Sequence, residues 1–277
     1  MLTRARWASN DHHGHGTCMA GVCAYGDIAE LPRPPYRIVV PYRLESVKVH
    51  PPAGQNQHEL LGAITAGSIA RVELAASQRK RVFCLPSSTD EDTPHRGRPT
   101  SWSAELDQLC SGAEDETGLH RLICVSIGNI RHQLGQTEYL DANDLSEVES
   151  PAHAWNVLGV GAFTNKVEIT SAGYGNWQAF APRGDLCPTS RTAPWNTTWP
   201  IKPDIVLEGG NLGVDPADQL GCGVIDLQLT TTSREYPAVV FQGTGETSAA
   251  AATASRLAAL IQADYPQLWP KQFALSS

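Results

Sequence analysis

Three short segments of this 277-residue chain carry side chains able to do chemistry. The first is His13-Gly14-His15-Gly16-Thr17-Cys18-Met19-Ala20-Gly21. A histidine set between glycines and followed by small residues suits an imidazole at the start of a tightly packed helix, where it could serve as a general base. A glycine-rich turn bearing surface histidines reads the same way. A metal site on His12, His13 and His15 is disfavoured, because no i,i+4 pair or matching cysteine set accompanies them. The second segment is Gly243-Thr244-Gly245-Glu246-Thr247-Ser248, followed by four alanines. Ser248 would stand at the mouth of a buried helix whose unpaired N–H groups and positive end suit a developing oxyanion. The bland alternative is Thr247 or Ser248 as a simple helix cap. The third is Cys124-Val125-Ser126-Ile127-Gly128-Asn129, which places an amide just past an apolar strand. An amide there can donate to an oxyanion, or can simply occupy a turn.

The elements that must hold these groups follow from hydrophobic periodicity. Strands are expected at residues 37–40, 44–49, 81–85, 122–126, 157–160 and 205–207. Helices are expected at 59–76, at 104–110 with Ser103 as N-cap and Gly112 near the end, and at 247–265. Strand–helix alternation with near-continuous apolar strands predicts an α/β fold. It would be a three-layer, doubly wound, mostly parallel sheet with helices on both faces. Residues 89–100, 133–150 and 182–200 read as long surface loops. No repeat or linker divides the chain, so a single domain spanning 1–277 is expected.

Composition narrows the function classes. Hydrophobic residues make up 41% and the formal net charge is −8. The chain has no basic stripe, which argues against nucleic-acid binding. The N-terminal residues contain no apolar leader run, and no stretch reaches membrane-spanning length, so no membrane partner is expected. Seven cysteines, an odd number without CxxC spacing, fit neither a zinc site nor a complete disulfide framework. A reducing, cytoplasmic location is the simpler expectation. Oligomeric state is open.

The order of the three segments carries more than any one of them. His15-Gly16-Thr17-x-Met19-Ala20-Gly21 resembles the histidine signature H-G-T-x-V-A-G of the subtilisin-like serine peptidases (subtilases). Thr247-Ser248-x-Ala250 resembles their serine signature G-T-S-x-A-x-P, and Ala258-Ala259-Leu260-Ile261 continues the same helix. Ser126-x-Gly128-Asn129 resembles the family's oxyanion segment, and Lys202-Pro203-Asp204-Ile205-Val206 its K-P-D-I-V segment. The resemblance runs from Asp11 to Pro270. It implies a subtilisin-like fold and hydrolysis of polypeptide substrates through an acyl-enzyme on Ser248. His15 would be the general base and Asn129 an oxyanion donor. It also implies that Ser101, Trp102 and Ser103 form the backbone edge that pairs with substrate. No cofactor is expected; calcium is possible by resemblance, with no site identifiable.

Three departures stand out: Glu246 where the family usually has Gly, Ala252 where it has Pro, and Cys18 where many members have a second His. The triad carboxylate is also unaccounted for. The family places it on a strand some thirty residues before the histidine, whereas only fourteen residues precede His15. Asp11 lies in a polar run and is expected to order the loop rather than orient His15. The reading is therefore of a chain truncated at the N-terminus, and at the C-terminus as well if the helix beginning at Trp269 is cut short. The alternative is an impaired, peptide-binding relative. Loss of a central strand would also leave the isolated chain poorly stable.

Overall fold

The computed structural model describes residues 10–33, 35, 37–89, 97–113, 118–131, 135–193, 198–217 and 219–268. The central sheet is built on three adjacent parallel strands, β1 (Val82–Leu85), β2 (Leu122–Ser126) and β3 (Leu158–Thr164). Two short antiparallel pieces, β4 (Gln178–Ala179) and β5 (Asp185–Leu186), follow, and β5 pairs with the end of β3. Strand β6 (Ile205–Glu208) extends the sheet in parallel along β3, with Val160 opposite Ile205. Among the described residues β1 ends the sheet, and its residues are only half-buried.

Alternation along β2 sorts the two faces. Ile123 and Val125 join Leu106, Trp102 and Ile69 in one core, while Leu122 and Cys124 join Val160, Ala162 and a row of alanines in another. Helix α1 (His15–Tyr25) comes first in the chain, followed by α2 (Leu61–Ala75), α3 (Ser101–Ser111), the short α4 (Tyr139–Leu145) and α5 (Glu246–Asp264). Helices α2 and α3 cover the first core and are tied together by Trp102 Nε1 donating to Thr65 Oγ1 at 2.9 Å. Helix α5 covers the second core and packs on α1. The result is the expected three-layer arrangement with a mostly parallel sheet.

Small residues set the spacing between layers. Ala249, Ala250, Ala251 and Ala252 are all fully buried, so the backbone of α5 lies directly against the sheet and α1. Helix α1 in turn meets the hairpin of β9 (Leu229–Thr232) and β10 (Phe241–Thr244), which follow the minor pair β7 (Gly213–Val214) and β8 (Gly221–Cys222). Thr231 and Thr232 hydroxyls donate to the Cys18 and Thr17 carbonyls at 2.8 and 3.0 Å. On the far side of the sheet, the Lys202 ammonium is 2% exposed yet paired with Asp204 at 2.6 Å. Asp204 also accepts the Gly159 N–H, which ties the start of β3 to β6.

Several expectations are corrected. Residues 37–40 and 44–49 are not strands: they find no pairing partner among the described residues, and Val39 and Leu44 lie in solvent at 70% and 50% exposure. β-Branched composition cannot make a strand without a neighbour to bond. Helix α3 begins three residues early, because Thr100 rather than Ser103 is its N-cap; the two form a reciprocal capping box. Gly112 ends it in the left-handed conformation, as expected. Strand β3 runs on to Thr164, and residues 133–150 contain α4. The helix start expected at Trp269 lies outside the described residues, as does most of the 89–100 loop. No helix among the described residues is long and apolar enough to cross a membrane.

Gly21 gives a direct test of the α1–β9 approach. A Cβ there would lie 2.3 Å from Thr231 Oγ1 and 2.9 Å from the Thr232 backbone nitrogen. Gly21→Ala is expected to lower unfolding free energy by about 1–3 kcal/mol in denaturant titrations, although alanine is the better helix former.

Candidate active site

His15 opens α1. Gly14 before it adopts a left-handed conformation (φ 85°), which turns the chain sharply into the helix. Asp11 fixes that turn. One of its oxygens accepts from the His13 and Gly14 amides at 3.1 and 2.9 Å, the other from the Thr17 amide and hydroxyl at 2.7 and 2.8 Å. Partial burial alone would raise the Asp11 pKa, but these bonds dominate and hold it at about 2. Asp11 is thus spent on the helix end. Among the described residues no carboxylate hydrogen-bonds the imidazole, which Asp11 influences only through its field. Crowding by protein lowers the His15 pKa; Asp11 opposes the shift and His50 adds to it.

Ser248 sits in the first turn of α5. The Glu246 amide bonds the Gly209 carbonyl, the Thr247 amide bonds Asn129 Oδ1 at 3.1 Å, and the Ala249 amide bonds the Gly245 carbonyl at 3.3 Å. Among the described residues, the Ser248 amide is therefore the first-turn donor left available at this positive helix end. The Ser248 hydroxyl donates to the Pro86 carbonyl at 3.3 Å. Glu246 holds a left-handed φ of 65°, unusual for a side-chain-bearing residue, and burial raises its carboxyl pKa.

Asn129 follows β2, at the carboxyl end of the sheet where open α/β proteins bind ligands. Its orientation is set by chemistry. The Thr247 backbone N–H can only donate, so the amide must present Oδ1 to it; the Thr247 hydroxyl adds a second bond at 2.9 Å. The Nδ2 donors are thereby turned away from Thr247. Gly128 is left-handed (φ 93°), and a Cβ there would meet the Glu149 carboxyl at 2.5 Å.

His15, Asn129 and Ser248 line one cleft of about 1270 Å³, as do Asp11, His50 and residues 86–88. Ser101, Trp102 and Ser103 do not line it. They form the first turn of α3, with Trp102 and Ser103 buried and engaged by Thr65 and Thr100, so they offer no extended edge. The segment beside Ser248 is Pro86-Ser87-Ser88, directly after β1. The clue available in sequence is the position of Pro86 directly after the expected strand at 81–85. His50 was also missed. Its Nε2 lies 3.2 Å from the Ser87 hydroxyl, and burial lowers its pKa, with His13 adding to the shift. For calcium, no cluster of three or more His, Cys, Asp or Glu side chains fit for a metal forms among the described residues.

The subtilase family model matches residues 4–275, and the chain belongs to that family of serine peptidases. Among solved structures, it is similar to Sphericase, with a TM-score of 0.58 and 17% sequence identity over 96% of this chain and 68% of that one. That likeness supports the subtilisin-like fold. No curated protein sequence matches the chain. The family implies a polypeptide substrate.

The Asp11 cap predicts a pH effect. Its folded pKa of about 2 is below that of an unfolded aspartate, so its stabilisation is present above about pH 4 and is lost as pH falls toward 2. Asp11→Asn should lower stability at neutral pH by about 1 kcal/mol and flatten the pH dependence between 4 and 2, read by denaturant titration at each pH.

Proposed function

We propose that this chain is a serine endopeptidase in which Ser248 attacks the scissile carbonyl and His15 takes the hydroxyl proton, returning it to the leaving amine. The tetrahedral oxyanion is held by the Ser248 amide and Asn129 Nδ2. Substrate lies extended along residues 86–88 and adds its backbone to that edge. The supporting observation is the Thr247–Asn129 contact, which occupies Asn129 Oδ1 and the Thr247 amide and leaves Asn129 Nδ2 and the Ser248 amide as donors for residues that line the same cleft. The depressed His15 pKa keeps the imidazole neutral, and so able to accept a proton, at neutral pH.

A second reading has one specific observation behind it. No carboxylate among the described residues holds the His15 ring, and Asp11 is occupied elsewhere. A triad aspartate fixes the tautomer and stabilises the imidazolium. Its removal from subtilisin, a protein of this same fold class, costs roughly 10⁴-fold in turnover. A chain without such a carboxylate would retain the peptide groove with little catalysis.

A fluorophosphonate probe separates the two. Covalent labelling is expected at Ser248, abolished in Ser248→Ala and slowed by about 10²–10³-fold in Asn129→Ala. The rate should rise with pH through an inflection below the ordinary histidine value. Labelling of Ser248→Ala at the parent's rate would refute the nucleophile. Peptide binding without labelling would favour the binding module.

A further inference from the structure

Two cysteine thiols that the proposed acyl transfer does not use meet between α1 and β1. Cys23 lies on the helix and Cys84 on the strand, about 60 residues apart in the chain. The fold brings them together. Cys84 pairs with Cys124 across β1 and β2, so its side chain shares the sheet face that α5 covers. Helix α1 packs on the same α5, where Cys23 and Ala252 belong to one buried cluster. Cys84 packs against that cluster, and the Cys23 and Cys84 thiols are hydrogen-bonded to each other. Cys23 Sγ also lies 3.6 Å from the Ala252 carbonyl oxygen, a second acceptor for its S–H.

Both thiols line the cleft, Cys84 half-buried and Cys23 9% exposed. Cys124, the third sulfur nearby, is fully buried and does not line it. The pair is also unequal in acidity. Donation from Cys23, joined by Ser255, lowers the Cys84 pKa against the opposing effect of burial. The same bond, and then burial, push the Cys23 thiol up. Thiol oxidation needs a thiolate to attack the oxidant and a neighbouring thiol to resolve the product. Cys84 and Cys23 are disposed for those two tasks, and both are free thiols.

We propose that Cys23 and Cys84 are a site of reversible oxidation by hydrogen peroxide, and that their disulfide ties α1 to β1. The Cys84 thiolate attacks one peroxide oxygen; the O–O bond breaks, hydroxide leaves, and Cys84 becomes a sulfenic acid. The Cys23 sulfur then attacks the Cys84 sulfur. The S–S bond forms as the S–O bond breaks, and the departing hydroxide takes the Cys23 proton as water. Two thiols are oxidised and one peroxide is reduced to two waters. The bond joins the helix that carries His15 to the strand that runs into Pro86, whose carbonyl accepts the Ser248 hydroxyl. Closing so long a loop restricts the unfolded chain and so stabilises the folded one.

The test treats the full chain with graded hydrogen peroxide. The intact mass is expected to fall by two hydrogens, and peptide mapping without reductant to show a Cys23–Cys84 cross-link. The thermal midpoint should rise by about 5–10 °C, and dithiothreitol should reverse all three changes. Cys23→Ser should lose the cross-link and the rise, and leave Cys84 as a sulfenic acid that dimedone traps. Cys222→Ser, outside the pair, should keep both. The mapping is read on the parent chain, so the outcome does not depend on a variant folding. The proposal is overturned if both thiols remain open to alkylation after peroxide, or if Cys84 is found linked to Cys124 instead. It is equally overturned if the parent's Cys84 is oxidised without a cross-link, or if the cross-linked chain melts where the reduced one does.

Discussion

The close seating of α5 on the sheet is the constraint on which the site depends. Its four consecutive buried alanines remove the side-chain layer that would otherwise separate helix from strands. The backbone of α5 is then located by the sheet, and Ser248 with it. Residues at the carboxyl ends of β1 and β2 come within hydrogen-bonding distance of the first turn: the Pro86 carbonyl reaches the Ser248 hydroxyl, and Asn129 reaches Thr247. A bulkier helix face would displace the first turn of α5, and Ser248 with it, from both partners at once.

The histidine arrives by a separate route. Helix α1 packs on the far side of α5 and on β9, and its first turn is shaped by Gly14 and Asp11 rather than by the sheet. Two independently anchored helices thus converge on one cleft. Asp11 and Gly21 fix where one of them ends and how closely it lies.

How much of this was readable from sequence depended on locality. His15, Ser248 and Asn129 sit in short runs whose small neighbours are needed for close packing, so those runs are recognisable. Strand β2 was legible because a strand buried along its whole length must be apolar throughout, and the half-buried β1 and β6 carry similar short apolar runs. Residues 37–49 misled for the complementary reason: their composition fits a strand, but pairing is a property of neighbours that composition does not contain. Ser101–Ser103 failed as an edge because the Thr100–Ser103 box starts a helix there. The contacts of Glu149 were invisible, since its partners Ser88, Arg131 and Arg191 come from three separated stretches of chain.

Gly128 and Glu149 have a consequence for how this cleft can change over generations. The carboxyl group occupies the space that any side chain at 128 would need, and the left-handed backbone there disfavours other residues as well. Substitutions at the two positions are therefore not independent events. A lineage could enlarge position 128 only after shrinking position 149, and doing so would release Arg131 and Arg191 together. The pocket wall is inherited as a block, so its chemistry should shift between relatives in jumps rather than by single steps.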